Sequence, residues 1–201
     1  MKPLLCALLA AAASFQILTA ANPDPADLTI DENIATPAVP KKAAAAVKKH
    51  MADLAASLTR HGLAARVDRQ GEVVSVTIPC SALFLANSAA LGKSAPGILE
   101  SIAPLLKYPT MYKVIIAVHS DNTGETAYLD GLTAERANAL DDLLCRLSAT
   151  EGTNIIPYGM AADDPIDSND TVTGRDANRR VEINIVPEWQ MIDAAKSGRL
   201  K

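Results

Sequence analysis

Residues 113–136 read K-V-I-I-A-V-H-S-D-N-T-G-E-T-A-Y-L-D-G-L-T-A-E-R, and the fold turns on how this stretch is divided. Lys113 to His119 is a near-continuous β-branched run, the pattern of a strand buried on both faces. A polar turn follows, and then a helical pattern with Asp130-Gly131 inside it. Glycine is favoured just past a helix end, and Thr133 is a candidate N-cap. The reading is a short helix from Gly124 to Asp130, a tight turn, and a second helix from Ala134. In one straight helix, Asp121 and Arg136 would stand roughly 22 Å apart. The break folds the chain back and returns Arg136 toward Asp121. It also puts a cation in the first turn of a helix, the unfavourable end, at about 0.3–1 kcal/mol. A residue that breaks a local rule without visible compensation often serves a site. One anion and one cation at the mouth of a pocket suit a zwitterion. The alternative is a surface arginine paired with Glu135 or Asp130.

Outward from this stretch, Lys41 to His61 is a helix, with Val47, Met51, Leu54 and Leu58 as its apolar stripe. Gly62 closes it. Leu63–Arg69 and Glu72–Pro79 flank Gln70-Gly71 as a hairpin. Val74, Val76 and Ile78 mark the more deeply buried face of the second strand. A helix is expected from Ser94 to Leu106. Ala137, Leu140, Leu144 and Leu147 form a core stripe. Asn154–Gly159 and Arg180–Val186 are further strands, separated by an acidic loop over 161–178. Pro187-Glu188 opens a short terminal helix. The fold class is α+β, a β-α-β-α-β-β two-layer sandwich with an extra N-terminal helix and hairpin strand.

The chain has 201 residues, a net charge of −4 and 3% aromatic residues. That charge gives no reason to expect nucleic acid, and the sequence lacks the amphipathic strands and aromatic girdles of a membrane barrel. Residues 1–21 read as a signal peptide, with Lys2, an apolar run from Leu4 to Phe15, and small residues at Thr19, Ala20 and Ala21. The competing reading is an uncleaved anchor. Residues 22–40 carry Pro23, Pro25, Pro37 and Pro40, a linker composition expected to be extended. The remaining divisions are 41–71 (N-terminal helix and first hairpin strand), 72–187 (the main domain) and 188–201 (terminal helix and tail). Export leaves Cys80 and Cys145 in an oxidising compartment. The sequence leaves open whether they are bridged or are two free thiols.

Four ordered blocks carry a family resemblance: V-S-V-T-I-P-C-S-A-L-F-L-A-N-S-A-A-L, H-S-D-N-T-G, L-T-A-E-R-A, and P-I-D-S-N-D-T-V-T-G-R-D-A-N-R-R-V-E-I. Residues 72–187 resemble the OmpA-like peptidoglycan-binding domain, which is also present in Pal and MotB proteins. The resemblance implies non-catalytic binding of the cell-wall stem peptide, specifically of diaminopimelate. It implies no cofactor and no metal. Its ligand-contacting aspartate falls on Asp121, its arginine on Arg136, its loop threonine on Thr123 and its asparagine on Asn87. The first arginine of the N-R-R run is Arg179. The chemistry agrees, since guanidinium binds carboxylate bidentately and carboxylate accepts from ammonium. Asn87 and Thr123 would add neutral hydrogen bonds. Thr123 also suits an N-cap, and Arg179 also suits the charging of a strand edge.

The chain departs from the family at Leu129, where members often carry Asn after the tyrosine at 128. That removes a neutral bond of about 1 kcal/mol, against about 1.5–3 for a charged one. The implied partners are peptidoglycan and an envelope protein yet to be identified, with a homo-oligomer left open. The implied location is the periplasm, in association with the outer membrane. A fold kept only for protein contacts is the alternative. An enzyme built on His119 and Asp121 lacks a nucleophile or metal-ligand constellation. A stator-type anchor lacks an acid within residues 4–21. Asp163, Asp164, Asp167 and Asp170 lack calcium-loop spacing and read as a solvated loop.

Overall fold

A computed structural model describes residues 24–151 and 154–200. The signal-peptide stretch, residues 1–21, lies outside the described residues. Five strands form one sheet in the order β1-β2-β5-β3-β4. They are β1 (Ala64–Asp68), β2 (Val73–Pro79), β3 (Tyr112–Val118), β4 (Ile155–Gly159) and β5 (Arg180–Pro187). Pairing is antiparallel except between β3 and β4, which run parallel.

Register explains the main core. Val74 pairs with Ile185 and Ile185 with Val114; Val76, Ile183 and Ile116 form the next row, and Ile78, Val181 and Val118 the third. Because side chains alternate along a strand, all nine face the same way. Helix α2 (Lys41–Arg60) covers them with Val47, Met51 and Leu58, and α5 (Thr126–Ser148) with Ala137, Leu140 and Leu144. The C-terminal helix α7 (Trp189–Lys196) packs beside α2.

The opposite face is also covered, by the stretch expected to be an extended linker. Thr29 and Glu32 form a reciprocal capping box at the start of α1 (Ile30–Ala35). Ile30 and Ile34, one helical turn apart, pack on Val73, Ile115 and Val186 together with Ile156 and Tyr158. Polar contacts fasten this strap. The fully buried Asn33 donates to the Pro25 carbonyl at 2.7 Å and to Tyr158 Oη at 2.6 Å. Tyr158 Oη donates to the Leu28 carbonyl at 2.7 Å. Buried Lys113 donates to Asn33 Oδ1 at 3.2 Å and to the Thr36 carbonyl at 2.7 Å. Arg69 donates to the carbonyls of Ile34 and Pro37. The prolines that suggested a linker bracket the strap helix. The cover accounts for β3 being buried along its whole length.

Three further expectations are corrected. The helix expected over 94–106 is split into α4 (Ala95–Leu99) and a 3-10 turn, Ala103–Lys107. Pro104 lacks the N–H an α-helix would need there and crowds the carbonyl four residues back. The acidic loop contains α6 (Val172–Asn178), capped by Thr171, whose Oγ1 accepts from Gly174 N. Most consequentially, α5 runs through Gly131 without a break. Glycine costs a helix interior about 1 kcal/mol, less than burying a leucine such as Leu129 gains, about 1.5–3 kcal/mol. Thr133, read as a new cap, is buried inside the helix. Its hydroxyl donates to the Leu129 carbonyl and accepts from Ala161 N. Strand β4 also clasps the helix here: a Cβ on Gly159 would stand 2.5 Å from Ala134 N.

Candidate functional site

The loops at one end of the sheet enclose a cavity of about 700 Å³. The C-terminal end of β3 supplies Ser120 and Asp121, and the end of β2 leads into α3 (Cys80–Leu83) and Phe84. The loop after α3 supplies Asn87, α5 supplies Tyr128, Leu129, Leu132 and Arg136, and the α6 region supplies Val172, Arg175 and Arg179. All five residues expected at the site, Asn87, Asp121, Thr123, Arg136 and Arg179, line this one space.

The route by which Arg136 arrives differs from the expected one. With no kink at Gly131, Arg136 lies in the third turn of α5, about 15 Å along the axis from its first residue. The unfavourable helix-end placement therefore does not arise. Helical side chains lean toward the N-terminus of their helix, and a long one on the sheet-facing side reaches back along it. The Arg136 guanidinium carbon sits 5.0 Å from the centre of the Phe84 ring, within cation–π range. Its Nε donates to the Ser88 carbonyl at 2.9 Å. The residue is 5% exposed. Among the described residues no carboxylate pairs with it.

Asp121 is 4% exposed and already held. Its Oδ1 accepts from Thr123 N at 2.7 Å, and its Oδ2 from Arg179. Burial opposes its charge, but the Thr123 and Arg179 hydrogen bonds outweigh it and depress the carboxyl below its ordinary value. Arg179 also pairs with Asp176. It is thus a clamp on Asp121 rather than an unengaged arm. Thr123 orients Asp121 through its backbone; Glu125, not Thr123, is the N-cap of α5. Asn87 sits exposed in the left-handed region, φ 50°, at the tip of a loop closed by Leu85 N to Ala90 O. Asparagine tolerates that conformation better than most residues.

Cys80 lines the cavity as a free thiol, pushed up to about 11 by burial, which Arg136, Arg179 and Arg180 only partly offset. Cys145 is also free and half-buried. His119 is turned away from the cavity. It is 2% exposed and lines a smaller space beneath the strap with Asp31 and Glu182, its basicity lowered by burial and then by Arg180. Sequence reasoning missed the Phe84 platform and Arg175. Both lie inside the quoted motif blocks, but nothing in their spacing shows that they line one cavity with Arg136.

A mixed sheet with helices on its main face, and a polar cavity at the strand ends lined by both a buried guanidinium and a clamped carboxylate, defines an α+β binding domain of the OmpA-like class. Residues 83–179 match the OmpA family. The chain is 29% identical over 126 residues to the Probable lipoprotein YiaD of Escherichia coli K12, covering 63% of this chain and 57% of that one. It is 38% identical over 86 residues to the peptidoglycan-binding protein ArfA of Mycobacterium tuberculosis H37Rv, covering 43% of this chain and 26% of that one. The matches therefore span less than two thirds of either relative's own length. Among solved structures, the cell wall anchor of the T6SS from Pseudomonas aeruginosa superposes with a TM-score of 0.56 at 27% identity. That match covers 69% of this chain and 97% of that one.

Proposed function

We propose that this protein is a non-catalytic wall-binding module of the Gram-negative envelope. Its ligand is the zwitterionic diaminopimelate end of a peptidoglycan stem, and its role is to hold an envelope assembly to the wall. The observation that carries the reading is Arg136, a buried guanidinium in an open cavity with no carboxylate partner among the described residues. A buried charge is costly unless paired, and a ligand carboxylate supplies the missing partner bidentately. Asp121 then accepts from the ligand ammonium. A carboxylate has about four lone-pair sites, so the ammonium joins Thr123 N and Arg179 without displacing them. Asn87 reaches the ligand from the loop tip. The printed descriptions of ArfA as peptidoglycan-binding and of the Pseudomonas protein as a cell wall anchor support the same ligand class.

No helix among the described residues is long and apolar enough to cross a membrane. The test is co-sedimentation of the purified protein with insoluble wall, competed by free diaminopimelate. Binding that is displaced by diaminopimelate and lost in Asp121→Ala and Arg136→Ala, with the fold intact, is the expected result. Full sedimentation of both variants would overturn the site.

A further inference from the structure

The cavity carries more positive charge than a diaminopimelate end group can answer. Its charged lining consists of Asp121, Arg136, Arg175 and Arg179, one anion against three cations. Arg179 is accounted for by Asp121 and by Asp176 outside the cavity. Arg136 and Arg175 have no carboxylate partner among the described residues. Arg175 is half-buried and held by one neutral bond, from a terminal nitrogen to the Asn169 carbonyl at 2.8 Å. That bond fixes the guanidinium at the cavity wall and leaves donors over, since the group has five. A diaminopimelate end group brings one carboxylate and one ammonium, which satisfies Arg136 and Asp121 and leaves Arg175 unanswered.

Resting on the wall-binding reading above, we propose that Arg175 is a specificity-determining residue that takes a second carboxylate of the ligand. That carboxylate belongs to an acidic residue adjoining the diaminopimelate in the stem. The preferred ligand is then a stem whose γ-linked glutamate keeps its α-carboxylate free, and amidation of that group to the neutral carboxamide weakens binding. Arg175 and Arg136 come from different elements, α6 and α5, so the two ligand carboxylates are read separately. Exposed Val172 and Tyr128 also line the cavity and offer apolar contact to the stem.

The experiment is calorimetric titration with two soluble tripeptides, L-Ala-γ-D-Glu-diaminopimelate and the same peptide with the glutamyl α-carboxylate amidated. Wild type is expected to bind the free acid about tenfold more tightly, the lower range for a charge-assisted contact at a half-exposed site. In Arg175→Gln that ratio falls to about one. Equal affinity of wild type for both peptides overturns the assignment while leaving the wall-binding reading standing. So does an Arg175→Gln variant that weakens both peptides alike, because a purely structural role through Asn169 would do that. Failure of wild type to bind either peptide overturns both readings together.

Discussion

Two buried cations sit on opposite sides of the molecule, and the protein treats them differently. Lys113 lies under the strap, 6% exposed, with its ammonium given to Asn33 Oδ1 and Thr36 O. Burial lowers its basicity, yet every contact serves the fold. Arg136 lies at the cavity, 5% exposed, with one nitrogen on a carbonyl and its plane over an aromatic ring. Burial alone does not separate them. What separates them is whether the protein completes the hydrogen-bonding demand or leaves it facing an open space.

The largest expected effect comes from Arg136→Gln, which removes the charge and keeps a planar polar group. Wall affinity should fall by about 10- to 100-fold, the range for a lost charge-assisted bond. Thermal stability should fall only by about 1–2 kcal/mol, since the fold loses the bond to the Ser88 carbonyl and the contact with the Phe84 ring, and no carboxylate among the described residues loses a partner. A drop in melting temperature as large as that of a core mutation would show Arg136 to be structural and dissolve the contrast. Lys113→Met should do the reverse. It leaves Asn33 and the Thr36 carbonyl without their donor, which costs about 1–3 kcal/mol in a urea titration. Residues 24–37 should then become sensitive to limited proteolysis while wall binding survives. Loss of binding in this variant would mean that the two sides are coupled.

Gly131→Ala addresses the helix that delivers Arg136. Nothing lies within 4 Å of an added Cβ there, so the unbroken helix should gain about 0.5–1 kcal/mol. Destabilisation would indicate a bend at that point. A smaller effect is a pH trend at Asp121. Its folded pKa is depressed, so its contribution to stability is fully present above the unfolded value of about 3.9. The contribution is lost as pH falls through the lower folded value. Asp121→Asn should flatten that part of the acid limb of the stability curve; an unchanged limb would mean that the Arg179 clamp does not hold in solution.

Strands and helix α2 were legible in the sequence because their apolar periods are undiluted, as in the Val74-Val76-Ile78 row and the Val47-Met51-Leu58 stripe. The gathering of Asn87, Asp121, Thr123, Arg136 and Arg179 was legible through ordered motif blocks rather than through any local rule. What misled was local chemistry overruled at a distance. Gly131 carries a stop signal, but Leu129, Thr133 and the clasp by Gly159 continue the helix. The strap was hidden because prolines drew attention from the Thr29–Glu32 box and the Ile30/Ile34 pair. The clamp of Arg179 on Asp121 depends on the turn after α6, whose cap at Thr171 lies inside an acidic run.

The strap also sets a mechanical order. Tension applied at Asp24 is borne by the bond between Pro25 and Asn33 within the strap and by the contacts of Leu28 and Asn33 with Tyr158 and Lys113, not by the sheet or by the cavity at the strand ends. Those contacts are neutral-acceptor hydrogen bonds and a small apolar patch, so they yield before the strand ladder does. Peeling residues 24–37 would release about 45 Å of extended chain while the strand ladder and the cavity beyond it stay closed.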